Sequence, residues 1–84
     1  GVRAQVQRSA WSVPPIFHAI ARLGQVEREE MYRVFNMGIG LILVVPASDA
    51  QSVVSQAASL GDPACRIGTI VESSGEGPLV EYVD

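Results

Sequence analysis

Glu30-Met31-Tyr32-Arg33-Val34-Phe35-Asn36-Met37-Gly38-Ile39-Gly40-Leu41-Ile42-Leu43-Val44-Val45-Pro46 reads as a short helix, a two-glycine turn and an apolar strand. Met31, Val34 and Phe35 give the helix one apolar face. Asn36 tolerates a left-handed backbone and Gly38 carries no side-chain restriction, so residues 36 to 38 are the expected exit from the helix. Leu41 to Val45 is apolar at every position, which demands cover on both faces and predicts a strand in the middle of a sheet. Pro46 ends it, because proline has no amide to give to a ladder.

Upstream of this stretch, Val2, Ala4 and Val6 alternate with Arg3, Gln5 and Gln7, the period of a strand with one buried face. Pro14 and Pro15 then open a helix in which Ile16, Phe17, Ile20 and Leu23 share a face, with Gly24 placed for a left-handed close. Glu27, Glu29 and Glu30 supply an acidic first turn to the next helix, and Arg33 is spaced to pair with Glu29 or Glu30. Downstream, Ser48 and Gln51 fit a capping box at the head of a helix reaching Leu60, and Gly61 stops it. A strand from Ala64 to Val71, a turn over residues 73 to 78 and a last strand from Leu79 to Val83 complete the chain. The expectation is one α+β domain over residues 1 to 84, in the order β-α-α-β-α-β-β, with a mixed sheet covered by helices. Short connections around residues 48 to 60 predict that strands 39–45 and 65–71 run parallel through a right-handed crossover.

Composition narrows the function classes. The chain has 84 residues, of which 48% are hydrophobic, and a net charge of -3. A domain this small buries only about 60 to 65% of its unfolded surface, so its core is marginal unless something else covers it. The six basic residues are all arginine and are scattered, leaving no basic stripe for a phosphate backbone. The longest apolar run, Ile39 to Val45, is far short of a membrane span. Cys65 is the lone cysteine, so no internal disulfide or cysteine metal cluster is available. No signal peptide is visible, and a cytoplasmic setting is expected. An opening on Gly1 rather than Met is consistent with a tag scar or with a piece of something longer.

Catalytic constellations are scarce. His18 reads as a surface residue and Cys65 as a small buried hydrophobe, and neither has a partner base that would make it a nucleophile. The three glutamates of the first turn point in different directions and suit solvent better than a metal. Gly38-Ile39-Gly40 runs helix, turn, strand, the reverse of the strand, loop, helix order of nucleotide-binding glycine motifs. It is left as a turn whose amides either approach a ligand or are held for packing. Arg33 stands just before it, where a guanidinium either grips a carboxylate or phosphate or pairs with its own helix.

Trp11-x-x-Pro14-Pro15-Ile16-Phe17, followed by Glu30-Met31-Tyr32-Arg33-x-Phe35-Asn36-Met37-Gly38-Ile39-Gly40 and then Ile67-Gly68, resembles the C-terminal region of phosphoribosylformylglycinamidine cyclo-ligase, also called aminoimidazole ribonucleotide synthetase. The resemblance covers nearly the whole chain and about the last quarter of a family member. It implies a homodimeric, two-domain enzyme of purine synthesis that uses ATP and Mg2+ to close formylglycinamidine ribonucleotide into aminoimidazole ribonucleotide. In that chemistry phosphoryl transfer activates an amide oxygen and an internal nitrogen displaces phosphate, so positioning matters more than a protein nucleophile.

The family's ATP-binding N-terminal domain and its HITGGG-type loop are absent from these residues, which implies that the chain is inactive alone and holds no cofactor tightly. The resemblance places Arg33, Asn36, Met37, Gly38 and Gly40 at the border of the cleft between domains, with no individual roles and no metal ligand. Val34 stands where many relatives have threonine, so a hydroxyl contact there is lost. Two other readings stay open: a stand-alone small α+β module that binds a ligand or partner, and a piece whose exposed sheet surface self-associates. An exposed or helical 41–45 segment is expected to count against the resemblance.

Overall fold

In a computed structural model that describes residues 1 to 84, the chain is α+β, with three α-helices and a three-stranded mixed sheet. It divides into two units, Gly1–Trp11 with Val45–Asp84, and Ser12–Val44.

The first unit holds the sheet. Strand β1 spans Val2–Gln7 and lies between β2, Gly68–Glu72, and β3, Val80–Val83. It runs antiparallel to β2, with Ala4 opposite Ile70, and parallel to β3, with Val6 opposite Tyr82. The alternating stretch, expected as a half-exposed strand with one buried face, forms the centre of the sheet, with residues 3 to 6 half-buried. Gly68 is required where β2 meets β1, because a Cβ there would sit 1.9 Å from the Gln5 carbonyl oxygen. The turn between β2 and β3 is tied to the central strand: Arg3 Nε donates to the Pro78 carbonyl at 2.7 Å, and Arg3 Nη2 donates to that of Glu76.

A 3-10 turn at Ala47–Asp49 leads into helix α3, Ala50–Ser59. Ser48 lies inside that turn, so the expected capping box does not form and the helix carries no side-chain cap. Gly61, at φ 85°, closes the helix as expected. Helix α3 packs chiefly on the turn before it; Val53, Val54 and Ala57 are half-buried, while Leu60 is exposed.

The second unit is a helical hairpin. Helix α1 spans Pro15–Gly24, with Pro15 at its first position, and α2 spans Arg28–Val34. The left-handed residue after α1 is Gln25, at φ 53°, rather than Gly24. Its amide reaches back to the carbonyls of Ala21 and Arg22, and that closing bond needs the next residue in the chain whatever its side chain. Met31 and Met37 are the buried hydrophobic side chains, and the rings of Phe17 and Phe35 meet edge to face at 6.0 Å.

The expected strand over residues 39 to 45 does not form. Residues 40 to 45 take part in no hydrogen bond. Leu41, Ile42, Leu43 and Val44 are 80%, 59%, 63% and 73% exposed. An apolar run states a need for cover but does not supply a ladder partner, and without one an extended segment is not a strand. The parallel pair in the sheet is instead β1 with β3, and no crossover joins 39–45 to 65–71.

Candidate functional site

Helix α2 ends at Val34, and the chain then turns sharply enough to put two successive residues at positive φ, Met37 at 55° and Gly38 at 101°. Asn36 itself is not left-handed. It shapes the turn through its side chain, whose Oδ1 accepts the Gly38 amide at 2.9 Å, while its carbonyl accepts the Ile39 amide at 3.0 Å. Two of the turn's amides are thus engaged within the turn. Gly38 has a further constraint, since a Cβ would lie 2.5 Å from Pro14 Cδ and 2.9 Å from Cγ. Gly40 has none: nothing lies within 4 Å of its would-be Cβ and its φ is unexceptional. Of the two glycines weighed as packing or ligand-facing, Gly38 is demanded by packing and backbone, and Gly40 by neither.

Arg33 pairs with Glu30, its Nε donating to Oε2 at 2.9 Å and its Nη2 to Oε1. Both side chains are exposed. The hydrogen bond from Arg33, aided by its charge, holds the Glu30 carboxyl below its ordinary pKa of 4.5, and the same bond raises that of Arg33. The two-pronged guanidinium grip therefore falls on the helix's own carboxylate.

Met37 is the candidate that faces a hollow. Phe17, His18, Ala21, Val26, Arg28, Tyr32 and Met37 line a space of about 320 Å³. The Arg28 guanidinium lies over the Tyr32 ring, 5.9 Å from its centroid. His18 is thus on the wall of a hollow, a placement its isolated position in the sequence does not signal. Of the residues singled out from the sequence, Asn36 and Gly38 meet in the turn and Met37 adjoins the hollow, while Arg33 and Gly40 face solvent. No three His, Cys, Asp or Glu side chains stand together as a metal site. Cys65 is exposed in an irregular segment, not a buried residue opening a strand, because β2 begins at Gly68 rather than at Ala64.

Arg8 was missed altogether. It is buried, with its guanidinium carbon 5.1 Å from the Tyr82 ring centroid and its Nε 3.5 Å from the Asp84 carboxylate. A polar residue that follows an alternating strand carries no sign of this, because the ring and the carboxylate come from the far end of the chain.

An antiparallel and a parallel neighbour on one central strand, with a helical hairpin ending in an Asx-type turn, define a small α+β module. Residues 1–81 match the family model described as AIR synthase related protein, C-terminal domain. The chain belongs to that family. It is 43% identical over 74 residues to a phosphoribosylformylglycinamidine cyclo-ligase of Thermoanaerobacter sp. (strain X514), which covers 88% of this chain and 22% of the relative. A protein of the same name from Caldanaerobacter subterraneus subsp. tengcongensis is 41% identical over 80 residues, 95% of this chain and 23% of its own. One from Alkaliphilus metalliredigens is 45% identical over 81 residues, 96% and 23% respectively. The chain therefore spans less than a quarter of the length of these relatives. Exposure of Leu41 to Val44 does not weigh against the kinship, contrary to expectation, because the match rests on the sequence and not on how that segment is covered.

Proposed function

We propose that this chain provides C-terminal residues of a phosphoribosylformylglycinamidine cyclo-ligase, acting in the ring closure of formylglycinamidine ribonucleotide during purine synthesis. The observation that carries the reading is the family match over residues 1–81 together with identities of 41 to 45% to relatives of that name. In this reading the turn at residues 36 to 40 borders the substrate cleft, with Asn36 and Gly38 fixing the chain path there and Met37 lining the adjoining wall. ATP and Mg2+ are the cofactors of the whole enzyme, a cytoplasmic homodimer. The residues present do not by themselves fit either cofactor. The acidic side chains do not gather into a metal site, the Arg33 guanidinium is engaged by Glu30, and the Gly38 and Ile39 amides are engaged by Asn36. No step of the reaction is assigned to a side chain of this chain.

The test is a chimera in which residues 1–81 replace the corresponding part of the Caldanaerobacter relative, assayed for ATP-dependent cyclisation. Retained turnover is expected, while the 84-residue chain alone releases no phosphate. A chimera that folds and dimerises but has no activity would overturn the assignment.

A second reading, a stand-alone ligand-binding module, is favoured by the hollow of about 320 Å³, whose size is that of a small-molecule site. Calorimetric titration of the chain with ribose phosphates and nucleotides separates the two, since a module with its own site binds without any added domain.

A further inference from the structure

Strand β3 joins the sheet on thin terms. It is four residues long, it pairs with β1 alone, and the pairing is parallel, the slightly weaker ladder per residue. Little apolar burial supports it, for Leu79, Val80 and Val83 are 80%, 46% and 37% exposed. The other side of β1 is held more firmly. Its antiparallel register runs from Val2 opposite Glu72 to Val6 opposite Gly68. Main-chain bonds extend it at both ends, from the Ser73 amide to the Gly1 carbonyl at 2.9 Å and from the Gln7 amide to the Ile67 carbonyl at 2.7 Å.

Two arginines supply what β3 lacks. Ala4 to Gln7 are the residues of β1 that pair with β3, and Arg3 and Arg8 flank them on either side. Arg3 holds the entrance to the strand. Its Nε and Nη2 donate to the carbonyls of Pro78 and Glu76, and Gly77 between them lies so close that a Cβ there would sit 2.9 Å from Nη2. These charge-assisted bonds grip main chain, which cannot swing away as a side chain would. Arg8 holds the exit. It is buried, with its guanidinium carbon 5.1 Å from the Tyr82 ring centroid and its Nε 3.5 Å from the Asp84 carboxylate.

We infer that residues 76–84 form a strap, fastened to β1 by Arg3 at one end and by Arg8 at the other, which lifts from the sheet and reseats as one piece while β1 and β2 stay paired. Neither arginine contact described here holds β1 to β2, so the strap can open without the rest of the sheet, as locally cooperative segments of folded proteins do. The amides of β1 tell the two events apart. That of Ala4 donates to the Leu79 carbonyl at 3.0 Å and is freed whenever the strap lifts, whereas that of Gln7 faces Ile67 and is freed only when the β2 side opens.

Hydrogen exchange under native conditions, read at single amides of the 84-residue chain, tests the strap. Once intrinsic rates are divided out, the Ala4 amide is expected to exchange roughly tenfold or more faster than that of Gln7. Arg3→Met and Arg8→Met each keep the apolar stem and remove the charged head. Each is expected to speed exchange roughly tenfold at Ala4 and across residues 79–83, at the far end as well as the near one, with Gln7 unchanged. Asp84→Asn leaves the buried Arg8 in place and is expected to move Ala4 in the same direction by roughly twofold to fivefold, which keeps the test open should Arg8→Met fail to fold. Ala4 and Gln7 accelerating equally would mean that the sheet opens as a whole and overturns the proposal. Acceleration confined to the end of β3 nearest each substitution, or none at all, overturns it too.

Discussion

Replacing Gly38 by alanine adds one methyl group at a position with no room for it. The backbone there is held at φ 101°, and the new Cβ would approach Pro14 Cδ to 2.5 Å and Cγ to 2.9 Å. A non-glycine residue held in such a region costs about 1 to 3 kcal/mol, and forcing extra volume into packed atoms adds about 1 to 3 kcal/mol. The pyrrolidine ring is part of the chain entering α1 and cannot swing aside as a long side chain would. A loss of about 2 to 6 kcal/mol is a large share of the roughly 5 to 15 kcal/mol that holds a domain together. Urea unfolding followed by circular dichroism measures it. With a slope near about 1 kcal/mol per molar for a protein this small, the midpoint falls by about 2 M or more, or the transition is lost. Gly40→Ala is the matched control, because the same methyl group meets nothing within 4 Å and φ is not positive. Its expected effect is within about 0.5 kcal/mol. Equal effects at the two positions, or a change below about 0.5 kcal/mol at Gly38, would refute the account of the turn.

The Glu30–Arg33 pair gives a pH dependence of definite sign. The folded pKa of Glu30 lies below its unfolded value of 4.5, so the contribution is complete above that value and disappears as pH falls through the folded pKa. A carbon-detected titration of the Glu30 carboxyl is expected to show the lowered midpoint, and Arg33→Gln to restore it to the ordinary range; an unmoved midpoint in the parent chain refutes the pairing. Cys65, being exposed, is expected to react with a maleimide in the folded chain as fast as in urea, and protection of the thiol without denaturant would show that it is covered.

Local features of the sequence were legible because their causes are local. Pro15 at the head of α1, the 3.6-residue spacing of Ile16, Phe17, Ile20 and Leu23, and Gly61 after α3 each act within a few residues of themselves. The family kinship was legible for a related reason, as it lies in the wording of residues 11 to 40. Pairing was not. Alternation at Val2–Gln7 indicated a strand, yet whether it stood at the margin or the middle depended on β2 and β3, more than sixty residues away. The apolar run at 41–45 stated a requirement that nothing in its own sequence fulfils. Asn36 was identified as a turn residue for its tolerance of positive φ, whereas its Oδ1 does the work and Met37 takes the left-handed position. Arg8 is buried by Tyr82 and Asp84, partners that no window of sequence around it contains.

Placing Val2–Gln7 between two strands drawn from the last 17 residues fixes the order of events in folding. Helix α1 and its neighbour need only each other and can form while the chain is still being synthesised at about 5 to 20 residues per second. The first strand must wait until residue 72 has been made for its first partner and residue 83 for its second, and closing so large a loop is the slow part of folding in chains dominated by distant contacts. During that interval the amino-terminal strand is an open invitation to chaperones or to neighbouring nascent chains, and slowing translation after residue 60 is expected to lengthen it.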